Sequence, residues 1–185
     1  MGGTVLALAL LVLTALAAEA RAGQGGLSSA PTAEAPALPP SAVSRQVFPV
    51  RGPHEYWDGF GAGRGHEGVD IGSPCGTPLV ALSAGKVRFV KYHARAGNYV
   101  VIDLKGSVLD VAYMHLREPA VVLPGQAVVA GQGIGAVGDT GNASGCHLHF
   151  EVWEGPYYGG GAAIDPMPLL ESLDKTRKRL RQRSR

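Results

Sequence analysis

The chain has 185 residues, of which 45% are hydrophobic, with 17 Lys and Arg against 15 Asp and Glu and a formal charge of +2. That length holds one ordinary domain with appendages and not two, and the apolar fraction excludes a chain that is disordered throughout. The charge is uneven: seven of the 17 basic residues lie in Lys175 to Arg185, which has no acid, leaving 10 basic against 15 acidic residues elsewhere, a formal −5.

Residues 1–20 read as an export signal. Val5 to Ala18 is almost wholly apolar but shorter than the roughly 20 residues a spanning helix needs. Small-x-small cleavage sites follow at Ala15-Leu-Ala17, Ala18-Glu-Ala20 and Ala20-Arg-Ala22, although Met1-Gly-Gly-Thr4 carries no Lys or Arg. Residues 21–46 contain Pro31, Pro36, Pro39 and Pro40 and no large apolar cluster, the composition of a semi-extended or disordered linker. The ordered domain is expected over 47–168, from Val47-Phe-Pro-Val50 to Pro166-Met-Pro168.

Inside the domain the apolar residues form short runs separated by glycine, and no window makes an amphipathic helix. Lys86 to Tyr92 places Val87 and Phe89 on one strand face and Lys86 and Arg88 on the other. Asn98 to Leu104 carries Val100, Ile102 and Leu104 at period two. Val108 to His115, Ala127 to Ala130 and Ile134 to Val137 are further strands. The expected fold is all-β, an antiparallel sandwich or open barrel. The basic end, 169–185, has one large apolar side chain beyond Lys175, Leu180, and no stripe for membrane insertion. It reads either as a solvated end or as an electrostatic contact for an anionic polymer.

Cys75 and Cys146 are the only cysteines. In an exported chain they suggest a disulfide, and in a reducing compartment two buried thiols. A ligand role for Cys146 is the weaker reading, because nitrogen and oxygen donors stand nearby without it. Of the six histidines, four sit in chemical contexts. In His147-Leu-His-Phe-Glu-Val-Trp153 a strand puts His147, His149, Glu151 and Trp153 on one face and Leu148, Phe150 and Val152 on the other. Gly65-His-Glu-Gly-Val-Asp70 is too rich in glycine for a helix and suits a turn entering a strand. There His66 and Asp70 would meet as an imidazole and a hard carboxylate. Each pattern has a plain alternative: an exposed His pair, or a turn in which Asp70 bonds backbone amides. His115, in Tyr113-Met-His-Leu116, is by itself no more than a strand-end histidine, and His54 and His93 read as surface or structural.

In combination and in this order, the segments resemble the lysostaphin-like (M23, LytM-type) zinc metallopeptidases. The matching text is His66-Glu-Gly-Val-Asp70, Tyr113-Met-His-Leu116 and Gly145-Cys-His-Leu-His-Phe-Glu151. Between these lie Gly76-Thr-Pro-Leu-Val-Ala81, Gly131-Gln-Gly-Ile-Gly135 and Gly138-Asp-Thr-Gly141, so the likeness runs from about Phe48 to Trp153. The resemblance implies a twisted antiparallel sheet with a groove over the metal. Carried over position by position, His66, Asp70 and His149 match the family's zinc ligands, for one Zn2+ per chain, and His115 and His147 match its two catalytic histidines. No signature position is missing.

The activity implied is that of a secreted zinc endopeptidase cutting peptide cross-links of bacterial peptidoglycan. Neither a nucleic-acid partner nor a membrane span after signal removal is expected. His147 would carry the proton from water to the leaving amine, while His115 would bond the oxyanion or orient the water. Two other classes compete: a non-catalytic module that binds wall or activates hydrolases, marked by a lost ligand, and a cytosolic sugar-phosphotransfer carrier, which needs no Asp70.

Overall fold

A computed structural model describes residues 45–183. The expected signal, 1–20, and all but the last two residues of the expected linker lie outside that range.

The chain runs β1 (Glu55–Tyr56), α1 (Ala62–Gly65), β2 (Val69–Gly72), β3 (Pro78–Val80), β4 (Gly85–His93), β5 (Gly97–Leu104) and β6 (Leu109–Leu116). It continues through β7 (Ala127–Val128), β8 (Gly133–Ala136), β9 (His147–Glu154), β10 (Ala162–Ile164) and α2 (Met167–Arg183). The large sheet has the order β1-β2-β9-β6-β5-β4-β7 with β10 on the outer part of β9, and β3 and β8 form a second sheet. Every named strand pair is antiparallel.

Strand alternation divides the large sheet into two faces with different tasks. Ile71, Val87, Val100, Ile102, Val111, Tyr113, Leu148 and Phe150 face Leu79 and Ile134 of the small sheet in one continuous core. The Tyr113 hydroxyl, buried there, accepts the backbone N–H of Leu82 at 2.7 Å, which satisfies both groups. The opposite face is a groove of about 740 Å³ crossed by β2, β9, β6, β5 and β4. A disulfide between Cys75 and Cys146, 71 positions apart, staples the end of β2 to the start of β9. On the chain-entropy account a closure of that length stabilises the fold by about 4 kcal/mol.

Two features differ from the sequence reading. Val87 and Phe89 lie on opposite faces, because a bulge shifts the β4–β5 register between them: Val87 enters the main core, while Phe89 packs with Val101 and Tyr99 on the groove side. A strict period of two cannot anticipate an inserted residue. The chain also does not become a tail at 169. Asp165 accepts the N–H of Met167 at 2.9 Å, and Pro168 stands in the first turn of α2, where its missing amide costs nothing. Leu170 is fully buried, and Met167, Leu169 and Leu173 pack against the same core. Arg177 donates from Nη1 to the Val50 carbonyl at 2.8 Å, pairs with Asp174 at 3.0 Å and lies over the Phe48 ring. The side chain of His54 is covered in this network, 3.5 Å from Asp174. The apolar side chains of α2 straddle the expected boundary, so a window opened at Lys175 sees only the polar turns.

If α2 is part of the domain, its two leucines must differ sharply. Leu170 is 0% and Leu180 57% exposed. Leu170→Ala is expected to cost about 3 kcal/mol, and Leu180→Ala less than about 0.5 kcal/mol, read by chemical denaturation. Equal effects would contradict the docking of the helix.

Candidate metal centre

The site is built by strand register. Asp70 on β2 stands directly opposite His149 on β9, which in turn faces Met114 on β6, while Gly72 faces His147. Period two then places His147, His149 and Glu151 together on the groove face. His66 reaches the same point from the turn after α1. That turn passes close to β9: a Cβ on Gly68 would stand 2.6 Å from the Phe150 carbonyl oxygen and 2.9 Å from His149 Nε2. Glycine at 68 is therefore what lets His66 and Asp70 approach His149.

Three donor atoms converge. His66 Nε2 lies 3.0 Å from His149 Nδ1 and 3.2 Å from Asp70 Oδ1, and the His149 to Asp70 separation is 2.8 Å. Ligands about 2.05 Å from a tetrahedral zinc are separated by about 3.3 Å, so this triangle is close to one that a zinc ion fits. The far nitrogen of each imidazole is committed elsewhere. His66 Nδ1 donates to the Gly59 carbonyl at 2.8 Å, and His149 Nε2 donates to Glu151 Oε1 at 2.9 Å. A carbonyl or an ionised carboxylate only accepts, so each bond places a hydrogen on the outer nitrogen and leaves the other to face the centre of the triangle.

His147 and His115 follow the same rule. His147 Nδ1 donates to the Gly145 carbonyl and His115 Nδ1 to the Thr140 carbonyl, each at 2.8 Å. Both therefore present Nε2 as an acceptor. Their rings stand 4.7 Å apart, and His147 Nε2 is 3.6 Å from Asp70 Oδ1. His115 reaches the groove by a left-handed backbone, φ 59°, at a second bulge in the β5–β6 ladder. Met114 and His115 thus both line the groove, while Leu116 returns to the core. Such a conformation costs a non-glycine residue on the order of 1 kcal/mol or more, and it is held here by the His115 N–H bond to the Ala96 carbonyl at 2.8 Å.

The electrostatics separate the groups. Burial dominates at His115 and, with the charges of His147 and His149, lowers its pKa to about 4, so the ring is neutral at neutral pH. At His149 burial also opposes the charged form, but hydrogen bonds to Asp70 and Glu151 outweigh it and raise the pKa to about 9. Burial pushes Asp70 up, and the His149 bond with the surrounding histidine charges overcomes this and holds the carboxyl below its ordinary value.

All five residues singled out in the sequence, His66, Asp70, His115, His147 and His149, line one groove. His54 belongs to the α2 network, His93 lies on the groove rim, and Cys146 is in the disulfide. Trp57 packs against the His147 ring at 5.5 Å. The sequence reading assigned no role to Glu151, which is 3% exposed and takes His149 on one oxygen and Trp153 Nε1 on the other, at 2.9 and 2.7 Å. Its position two after His149 was the available signal. The Gly59, Thr140 and Gly145 carbonyls have none, because a backbone acceptor leaves no mark on residue type.

The sequence profile of Peptidase family M23 matches residues 64–166, and the chain belongs to that family. It is 45% identical over 87 residues to the peptidoglycan DD-endopeptidase ShyB of Vibrio cholerae, covering 47% of this chain and 20% of that protein. The chain thus spans about a fifth of the length of the curated relatives it matches first. Among solved structures it is similar to the catalytic domain of the antimicrobial peptidase lysostaphin from Staphylococcus simulans. There the TM-score is 0.59 with 34% identity, over 64% of this chain and 92% of that one. It is similar also to a zinc-containing peptidase from Vibrio cholerae, with TM-score 0.57 and 35% identity over 66% of this chain and 40% of that one.

If His66, Asp70 and His149 hold a metal ion, the raised pKa of His149 makes its loading pH-dependent. In metal-free protein its ring is protonated at neutral pH, and an incoming ion must displace that proton. Zinc affinity should therefore rise by about tenfold per pH unit from neutrality towards pH 9 and then level off, as competition with a chromophoric chelator would measure. Glu151→Gln should weaken binding by about 10- to 100-fold and flatten this dependence. Affinity independent of pH between neutrality and 9 would contradict the assignment.

Proposed function

We propose that the chain is an extracytoplasmic zinc metalloendopeptidase that cleaves peptide cross-links of bacterial peptidoglycan, with His66, Asp70 and His149 as ligands and His147 and His115 as the catalytic pair. The observation that carries this reading is that four imidazoles in one groove each commit one nitrogen to a fixed acceptor, and three of them, His66, His147 and His149, bring the other within 3.6 Å of a single carboxylate oxygen, Asp70 Oδ1. Two histidines and one carboxylate leave a position free for water or substrate, as catalytic zinc requires and structural zinc does not. The complete donor set favours an enzyme over a non-catalytic wall-binding or activating module. Peptidoglycan as substrate draws support from relatives named as peptidoglycan endopeptidases. No helix among the described residues is long and apolar enough to cross a membrane.

Zinc held by His66, Asp70 and His149 would supply Lewis-acid polarisation of a peptide carbonyl and would acidify a water. His147 and His115 do the proton work. Each offers a bare Nε2, so each accepts hydrogen from water before it can donate. His115, with its depressed pKa, stays neutral and orients the water as an acceptor; it has no proton to give an oxyanion. His147 takes the proton and returns it to the leaving nitrogen, and the Gly145 carbonyl stabilises the ring while it carries both protons. Glu151 holds the His149 ring in register for the metal. The basic face of α2 is proposed as a contact for anionic wall polymers, weakening with salt.

Protein purified without chelator should contain about one zinc per chain and release new amines from purified peptidoglycan. His149→Ala should lose most of the metal. His147→Ala and His115→Ala should keep it while losing about 100-fold or more in turnover. Normal turnover in His147→Ala, or equal metal loss in all three, would overturn the division into ligands and catalysts.

A further inference from the structure

The groove wall opposite β2 carries two cations that the metal chemistry does not use. After the bulge at Arg88, Phe89, Lys91 and His93 of β4 turn to the groove, where unbroken alternation would have sent them to the core side. Arg95 follows in the β4–β5 turn and lines the same groove. Its backbone is fixed: the Arg95 carbonyl accepts the Asn142 N–H at 2.9 Å, and the next carbonyl, of Ala96, accepts the His115 N–H at 2.8 Å. The turn that presents Arg95 is therefore tied directly to a histidine of the proposed catalytic pair.

The acids of the groove are already engaged. Asp70 stands among the histidines, Glu151 holds His149 and Trp153, and Glu67 accepts the Tyr158 hydroxyl. Neither Lys91 nor Arg95 has a carboxylate partner among the described residues; the Lys91 ammonium lies over the Phe89 ring at 4.7 Å. Phe89, Tyr99 and Tyr157 pack as an aromatic wall beside them. A low-dielectric wall next to unpaired charge strengthens the field an incoming anion meets.

We propose that Lys91 and Arg95 form a subsite for a substrate carboxylate, so that the preferred substrate is a peptide with a free carboxylate close to the scissile bond. This rests on the peptidase reading of the same groove and specifies its substrate. Two sources offer the same chemistry: the terminal carboxylate of a short stem peptide and the carboxylate of a diamino acid at the cross-link. Both cations are exposed, so the preference must fall as salt rises.

The test uses the zinc-loaded full chain and synthetic cross-linked peptides that differ in one group, free carboxylate or carboxamide, amidated at one position at a time. Wild type should cleave the acid with a KM lower by on the order of tenfold, and the position whose amidation removes the advantage identifies the source. A K91A/R95A variant should lose the preference, cleaving the acid and the carboxamide with the same KM. Equilibrium binding of a non-cleavable N-methyl amide pair should show the same difference. An unchanged preference in the double variant, or none in wild type, overturns the subsite. If no peptide is cleaved, the peptidase reading fails separately, and the binding pair alone still decides whether the carboxylate is recognised.

Discussion

Asp70 and His149 face each other across the β2–β9 ladder, their nearest side-chain atoms 2.8 Å apart. The rest of the site is arranged around that one cross-strand pair. A shift of one residue in register would turn every side chain on β9 to the other face and send His147, His149 and Glu151 into the core. The register is held from both sides of the sheet. Leu148, Phe150 and Val152 are buried on the core face, and the Cys75–Cys146 disulfide locks the end of the ladder next to the Gly72 and His147 pair. Core packing and a covalent staple thus do on one face what hydrogen bonds to Glu151 and the Gly59 carbonyl do on the other.

Where the chain departs from regular geometry, the departure serves the groove. The bulge at Arg88 takes Phe89 and Lys91 out of the core's pattern, and the left-handed backbone at His115 delivers a ring that alternation would have buried. Each departure interrupts a ladder, and the strained one at His115 costs on the order of 1 kcal/mol or more. A core reaching from Phe48 to Leu170 holds both in place. Helix α2 closes that core and carries its charge outward, so the basic end of the chain is anchored by Leu170 and Arg177.

Much of this was legible in the residue pattern, and the exceptions have physical causes. Strand alternation sorted Leu148, Phe150 and Val152 from the histidines because β9 is regular along its length. The same rule placed Phe89 with Val87, and a bulge separates them. His115 came from the family motif and not from period two, since its strand position alone gives a core residue. Glu151 had a readable position, but its role as the acceptor that orients His149 needed the distance. The helix escaped because Pro166-Met-Pro168, taken as an end, is a start: Asp165 and the prolines satisfy or dispense with its first amides. Residues 1–20 lie outside the described part of the chain.

The central claim is that two imidazole nitrogens and one carboxylate oxygen hold the metal and leave a place for a reacting molecule. X-ray absorption at the zinc edge of the loaded protein tests it most directly. The expected first shell is four light atoms at about 2.0–2.1 Å, with multiple scattering from two imidazoles, becoming one imidazole in His66→Ala. A sulfur scatterer at about 2.3 Å, the distance of a zinc–thiolate bond, would contradict it, as would scattering from three or four imidazoles. In either case the geometry around Asp70 would not be that of a metal centre with an open position.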